Sequence, residues 1–179
     1  MRSTENTLIA RVIADGNARA FEGLVKMHQS RIRSYLLRLT RGDASLADDL
    51  AQEVFLMAYR KIKLYRGDGS FSGWLHKIAY RNFLQGRRQS QARKARESAW
   101  QGVQVAPRDM KDVKLDIEKA LATLKGEERS ALTLCFSHGY SHEEACGIMG
   151  LPLGTLKSHI ARGKANLAYE LRHLKKDWS

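Results

Sequence analysis

Apolar residues recur at intervals of three and four along most of the chain, and nowhere does the strict alternation of a strand persist. From about Leu8 to Arg88 this period predicts several helices. One covers the N-terminal segment, and a second runs from about Ala18 to Leu39, where Gly42 can close it in a left-handed conformation. A third is expected to start near Ser45, because Ser45-x-x-Asp48 has the form of a capping box. The glycine-bearing loop "YRGDGS" follows, and another helix opens at "FSGWLHKIAYRNFLQ". From 89 to 111, "QSQARKARESAWQGVQVAPRDMK", the apolar period is lost and Pro107 appears, which is a linker pattern with Trp100 as its one apolar anchor. The period resumes at about Asp112 and continues nearly to the end. The expectation is an all-α fold without internal repeat: two small helical domains, 1–90 and 113–179, joined by a flexible basic linker over 91–112.

The C-terminal pattern is the sharpest. In "SHEEACGIMGLPLGTLKSHIARGKANL", Ser141 with Glu144 forms a capping box, Gly150 is placed to end the short helix, and Pro152 prevents its continuation. A longer helix then carries Leu153, Leu156, Ile160, Leu167, Leu171 and Leu174 as one apolar stripe. At about 100° per residue, Thr155, Ser158 and Arg162 point to the opposite side, with His159 on one flank and Lys157 and Lys164 on the other. Two helices hinged this closely form a helix-turn-helix. Its second helix would enter a major groove, Arg162 reaching a guanine, Thr155, Ser158 and His159 approaching base edges, and Lys157 and Lys164 holding phosphates.

Charge strengthens this reading. Lys and Arg number 31 against 19 Asp and Glu, a net charge of +12, which favours a polyanionic partner and nucleic acid before membrane. No apolar run is long enough to cross a bilayer and the N-terminus lacks a signal-peptide core, so residence in the cytoplasm is expected. The cysteines, Cys135 and Cys146, form neither a disulfide framework nor CxxC. Cys135-x2-His138-x3-His142-x3-Cys146 has zinc-ligand residue types, but Gly139 should end a helix inside the span and Cys146 falls on an apolar face. A small hydrophobe is the better reading of Cys146, and no metal or cofactor is expected.

The N-terminal domain changes the picture again. Along "DASLADDLAQEVFLMAYRKI", Leu46, Leu50, Val54, Met57 and Ala58 form a broad apolar side, extended by Ala51, Phe55 and Ile62. The remaining narrow stripe is Asp49, Gln52, Glu53 and Leu56, with Asp48 beside it, and no basic residue occurs between Gly42 and Tyr59. In so basic a chain, an acidic stripe with an exposed leucine repels DNA and suits a basic protein surface with an apolar spot. Just downstream, residues 81 to 96 hold Arg81, Arg87, Arg88, Arg93, Lys94 and Arg96 and no acid, after a helix carrying Trp74, His76, Tyr80 and Phe83. Aromatics beside cations suit single-stranded nucleic acid, although Trp74 and Ile78, four apart, are expected inside the core.

These residues resemble a family, the extracytoplasmic-function (group 4) sigma factors of bacterial RNA polymerase. "DDLAQEVFLMAYRKI" looks like the family's core-binding helix, "FSGWLHKIAYRNFLQGRR" like its promoter-melting segment, and "GYSHEEACGIMGLPLGTLKSHIARGKANL" like its duplex-reading helix-turn-helix. The resemblance implies a two-domain initiation factor without enzymatic chemistry. Its first domain would dock through Asp48, Asp49, Gln52, Glu53 and Leu56 on the clamp helices of the polymerase largest subunit. It would recognise the −10 element through Tyr80, Arg81, Asn82, Arg87 and Arg88, with a base flipped into a loop after the Trp74 helix. Its second domain, near the polymerase flap, would read the −35 element through Thr155, Lys157, Ser158, His159, Arg162 and Lys164. Such factors are commonly held inactive by an anti-sigma protein. Departures from the family pattern are Tyr80-Arg81-Asn82 after the Ile-Ala pair, Lys125 in place of a usual Pro, Ala145-Cys146 in place of Ile-Ala, and His159 where Arg is frequent.

The main rival is a helix-turn-helix regulator that binds an operator without docking on polymerase; the acidic stripe and the basic aromatic edge argue against it. An enzyme acting on nucleic acid would need a phosphate loop or a spaced carboxylate set, and neither is present in the sequence. An interaction protein such as an anti-activator would have no use for the duplex reader.

Overall fold

The structure, a computed structural model, describes the backbone of residues 2–97 and 113–176 and the side chains of residues 4–89 and 117–173. Helix α1, Arg2–Asp15, stops where Gly16 turns left-handed with φ 63°, and Asn17 caps α2, Ala18–Leu39, its side chain accepting from the Ala20 N–H at 2.9 Å. The far end of α2 is a Schellman motif: Arg41 N–H donates to the Arg38 carbonyl at 3.2 Å and Gly42 N–H to that of Leu37 at 2.9 Å. Gly42 does help to close the helix, but the first left-handed position is taken by Arg41, with φ 60°, where glycine is usual.

Helix α3 spans Ala44–Lys61, and its cap is Asp43, whose carboxylate accepts from the Leu46 N–H at 3.0 Å. The expected Ser45 capping box is therefore displaced: the chain enters the helix one residue before Ser45, and Asp48 is drawn sideways to Arg33 of α2. After a short 3-10 turn, Ile62–Leu64, and the glycine loop comes α4, Phe71–Glu97, capped by Ser70 Oγ accepting from the Gly73 N–H at 3.0 Å. It runs through the start of the expected linker; the rest of that linker, 98–112, lies outside the described residues. Arg, Lys, Gln and Ala are good helix formers, so losing the apolar period signalled a loss of burial, not of helix. The C-terminal half is α5 (Val113–Thr123), α6 (Gly126–Leu132) passing into a π-turn over Thr133–Ser137, α7 (His142–Met149) and α8 (Leu153–Lys176). Among the described residues there is no strand.

Instead of two separate beads, the halves share a continuous core. Tyr35, Leu36 and Leu39 of α2 and Leu75 and Ala79 of α4 belong to the same buried cluster as Leu121, Leu124, Ala131 and Leu134. α4 lies against α7, and α2 against α5 and α6. The strongest cross-link is Arg129, only 3% exposed. Its Nη2 donates to the Leu39 carbonyl at 2.9 Å, and its Nη1 to those of Ala122, Leu124 and Leu121 at 3.1, 3.3 and 3.4 Å. The guanidinium thus sits at the negative ends of α2 and α5 together. Within the C-terminal half, α6 and α8 cross at Gly163, where a Cβ would come within 2.9 Å of Leu132 Cδ1.

Two substitutions should move stability in opposite directions, read as urea midpoints. Arg41→Gly removes the left-handed strain and should gain about 1 kcal/mol. Arg129→Ala strands four carbonyls in an apolar surround and should lose about 3 kcal/mol.

Candidate nucleic-acid and docking surfaces

On α3 the inward face is Ala47, Leu50, Val54, Phe55 and Ala58, all buried, as the sequence pattern requires. This turns Asp49, Gln52 and Glu53 to solvent, with Leu56 at 58% exposure in their midst. Asp48 is not part of that free stripe. Arg33 donates to both of its oxygens, at 2.5 and 3.1 Å, and these bonds hold the carboxyl below its usual range. Its role is to fix α3 on α2. Beside the stripe lies a groove of about 890 Å³ between the two helices, walled by Phe21 and Val25 on one side and Ala51, Phe55 and Leu56 on the other. The α2 wall escapes sequence reasoning, because periodicity marks Val25 as inward without showing that nothing covers it.

On α4, Phe71, Leu75, Ala79 and Phe83 form one buried row, and His76 and Tyr80 form a second. Tyr80 and Phe83, candidates for stacking on bases, are both buried in this conformation, Tyr80 to 3% exposure; the C-terminal half covers them. Trp74 and Ile78 pack half-buried against the core, as expected. Arg81 and Arg88 are exposed, and with Lys77, which the sequence reading passed over, they fall on a single stripe. Arg87 turns away from them: it lies 3.9 Å from Glu127 and over the Phe83 ring at 5.8 Å, and a Cβ at Gly126 would collide with its guanidinium. Asn82 donates its amide to Glu53 Oε2 at 2.8 Å, so a residue of the basic edge and one of the acidic stripe are joined.

The loop expected after the Trp74 helix does not exist, since α4 is unbroken; the loop lies before it, at 65–70. There Tyr65 donates its hydroxyl to the Gly69 carbonyl at 2.7 Å and groups with Phe71 and Trp74 at ring separations of 5.3 to 5.5 Å. A cleft of about 520 Å³ opens here, lined by Tyr65, Arg66, Trp74 and Lys77 and closed on its other side by Tyr140, Glu143 and Ile148.

In the C-terminal half both bonds of the capping box are made, Ser141 N–H to Glu144 Oε2 at 2.8 Å and Glu144 N–H to Ser141 Oγ at 3.2 Å. Gly150 is left-handed, φ 68° and ψ 38°. On α8, Leu156 and Ile160 are buried and Leu167 and Leu171 half-buried, but Leu153 is exposed at the helix start; Leu174 lies outside the described side chains. Thr155, Lys157 and Ser158 face solvent, and Ser158 returns its hydroxyl to the Gly154 carbonyl at 2.9 Å. Arg162 reaches back to buried Glu128, at 3.5 Å, and to His159 Nδ1, at 3.2 Å. Lys164 covers the exposed ring of Phe136 at 4.4 Å. That ring was invisible in the sequence, because the π-turn that rotates it outward breaks the helical period. Cys146 is half-buried against the core, and among the described residues no cluster of three metal-ligating side chains occurs.

Comparison with known proteins matches residues 24–93 to Sigma-70 region 2 and residues 114–167 to Sigma-70, region 4. The RNA polymerase sigma-H factor of Pseudomonas aeruginosa is 32% identical over 89% of this chain and 90% of its own length. The ECF RNA polymerase sigma-E factor of Escherichia coli is 32% identical over 90% and 91%. Among solved structures, the sigma factor RpoE of Bartonella quintana, crystallised with the anti-sigma factor NepR, superposes with a TM-score of 0.71 at 25% identity, covering 87% of this chain and 98% of that one. CnrH, solved with the cytosolic domain of CnrY, shares the fold with a TM-score of 0.66 at 22% identity over 95% and 98%.

Behind the cleft His76 is fully buried. Its Nδ1–H donates to the Ser72 carbonyl at 2.8 Å with the Tyr140 hydroxyl 3.0 Å away, and its ring meets that of His138 at 4.9 Å. Burial foremost, and then the neighbouring His138 and Arg31, push it down to about 3 against the stabilising Ser72 bond. A histidine depressed on folding contributes stability that is complete above its unfolded value of about 6.5 and is lost as pH falls towards the folded value, at up to ~1.4 kcal/mol per pH unit. Urea unfolding at pH 7 and pH 5 should therefore differ by about 2 kcal/mol through this group, and a His76→Phe variant should show that much less dependence.

Proposed function

The chain belongs to the extracytoplasmic-function group of the sigma-70 family, and from that membership we propose how its surfaces divide the work of promoter-specific transcription initiation. The exposed face of α3, through Asp49, Gln52, Glu53 and Leu56, docks on core RNA polymerase, on the clamp helices of its largest subunit. Asp48 supports this face from behind through Arg33. The basic edge of α4, with Arg81, Asn82 and Arg88, takes the −10 element, and α8 reads the −35 element as duplex through Thr155, Ser158, His159 and Arg162, with Lys157 and Lys164 on phosphates near the polymerase flap. Arg87 and Tyr80 join the −10 surface once the C-terminal half has moved away. An anti-sigma factor is a further partner, as in the complex that the Bartonella quintana relative forms with NepR. Activity of this kind belongs in the cytoplasm, and among the described residues no helix is long and apolar enough to cross a membrane.

The observation that carries the reading is the exposed acidic stripe with its projecting Leu56, one helix away from the cationic stripe of α4. Two neighbouring surfaces of opposite sign need two partners of opposite sign, a basic protein and a nucleic acid.

Binding to sigma-free core polymerase, followed by single-round transcription from a promoter library, tests this directly. Asp49→Lys with Glu53→Lys should weaken core binding at least tenfold through like-charge contact, while Arg162→Ala should leave core binding intact and cost about 1–3 kcal/mol of −35 discrimination. Core binding unaffected by the double reversal would remove α3 as the docking element. DNA binding without core association would leave a simple operator-binding regulator.

A further inference from the structure

The two partner surfaces are not equally open. The acidic face of α3 is solvent-exposed, whereas the C-terminal half lies over much of the nucleic-acid edge. Tyr80 and Phe83 are buried, and Arg87 is turned onto Glu127 of α6. Tyr140, Glu143 and Glu144 wall the cleft of Tyr65, Arg66, Trp74 and Lys77, which sets two carboxylates at a pocket whose cations would otherwise face phosphate.

The contacts that hold this cover in place are polar. Tyr35 and Ser130 share a hydrogen bond of 2.6 Å between their hydroxyls, both buried. Ser72 and Tyr140 do the same at 2.8 Å, Arg31 donates to the His138 carbonyl at 2.9 Å, and Arg38 pairs with Glu118 at 3.0 Å. Polar groups of this kind regain hydrogen bonds to water when a surface separates, so parting these halves costs less than parting an apolar core of equal area.

Geometry also forbids the closed form from working on a promoter. The −10 and −35 elements are separated by about 25 base pairs, roughly 85 Å of duplex at about 34 Å per turn. A compact chain of 179 residues has a radius of gyration of only about 16 Å. One closed molecule therefore cannot hold both elements.

Resting on the sigma-factor reading above, we propose that this packing is an autoinhibitory contact. The C-terminal domain shuts the −10 cleft of the free protein while leaving the polymerase-docking face open, so the chain reaches polymerase before it reaches DNA. Docking commits the N-terminal domain, and opening then frees both readers for one promoter. The occupant of the cleft in the free protein is the chain's own segment from Tyr140 to Ile148.

The test uses the full chain and two sets of variants. Tyr35→Phe with Ser72→Ala removes only hydroxyls from the contact. Tyr140→Ala removes the wall of the cleft, and cooperative unfolding establishes whether it is folded; the hydroxyl pair decides the question if it is not. Small-angle scattering should give a radius of gyration near 16 Å for the unaltered protein and a larger one for the variants. Their affinity for a fluorescent single-stranded oligonucleotide carrying a −10 sequence from the transcription experiment should rise about tenfold, with holoenzyme transcription retained. An extended unaltered protein would overturn the proposal, as would opened variants that bind the oligonucleotide no better. If the unaltered protein neither binds core polymerase nor supports transcription, the sigma-factor reading fails instead. Scattering, and affinity for a mixed-sequence oligonucleotide, would then still judge the closure.

Discussion

A single buried cation holds the geometry of this molecule. Arg129 has no carboxylate in contact, and its charge is balanced by carbonyls at the ends of two helices from different halves. Burial pulls the guanidinium down to about 10, helped by Arg41 and Arg87, yet it remains charged at neutral pH. Only a planar fork with several N–H donors satisfies carbonyls on two sides at once; a lysine ammonium would reach one set and strand the other. The angle between α2 and α5 follows from this, and with it the seating of α6 against α2 and of α7 against α4. Three of the four bonds stay within the C-terminal half, so Arg129 organises that half even when the fourth, to Leu39, is given up.

That division explains how one core can serve both a compact and an extended molecule. Contacts inside each half are mostly apolar and at helical spacing, while those between the halves draw heavily on hydroxyls, an amide-like carbonyl and charged pairs. Apolar area is lost outright when exposed, but polar partners exchange one hydrogen bond for another. The balance at the junction is therefore set by how well the polar groups are matched. The unpartnered Nε2 atoms of His76 and His138 show that the match is incomplete.

Much of the fold was legible in the sequence wherever one local rule decides the outcome. The bounds of α2, the Ser141–Glu144 box and the left-handed Gly150 follow from caps and period alone. The misses fall where two local rules compete or where tertiary partners decide. Asp43 and Ser45 both satisfy cap chemistry, and only the path of the entering chain selects Asp43. The loop that could accept a base was placed after the Trp74 helix because Tyr80-Arg81-Asn82 breaks the family pattern, but nothing in those residues breaks a helix. Glu128, Arg129 and Ser130 read as a polar helix start and are all buried, since their partners are 35 to 90 residues away in the chain or in a neighbouring helix. Of the candidate site residues, Asp49, Gln52, Glu53, Leu56, Arg81, Arg88, Thr155, Lys157 and Ser158 are presented as expected, while Asp48, Arg87 and Tyr80 are diverted by contacts that periodicity cannot report.

The same diversion bears on how sharply the second domain can discriminate. Arg162, the natural guanine reader, leans on Glu128, whose carboxylate is buried and otherwise held only by Asn166 at 3.3 Å. Moving Arg162 onto a base leaves that carboxylate poorly compensated, so the free energy of reading is the base contact minus the cost of stranding Glu128. Arg162 is itself more than half exposed, which keeps this cost small against a bidentate contact to guanine but comparable to a single bond to a wrong base. A correct base can therefore displace the internal pair while an incorrect one gains little by doing so. Specificity then lies as much in the contact that is given up as in the one that is formed.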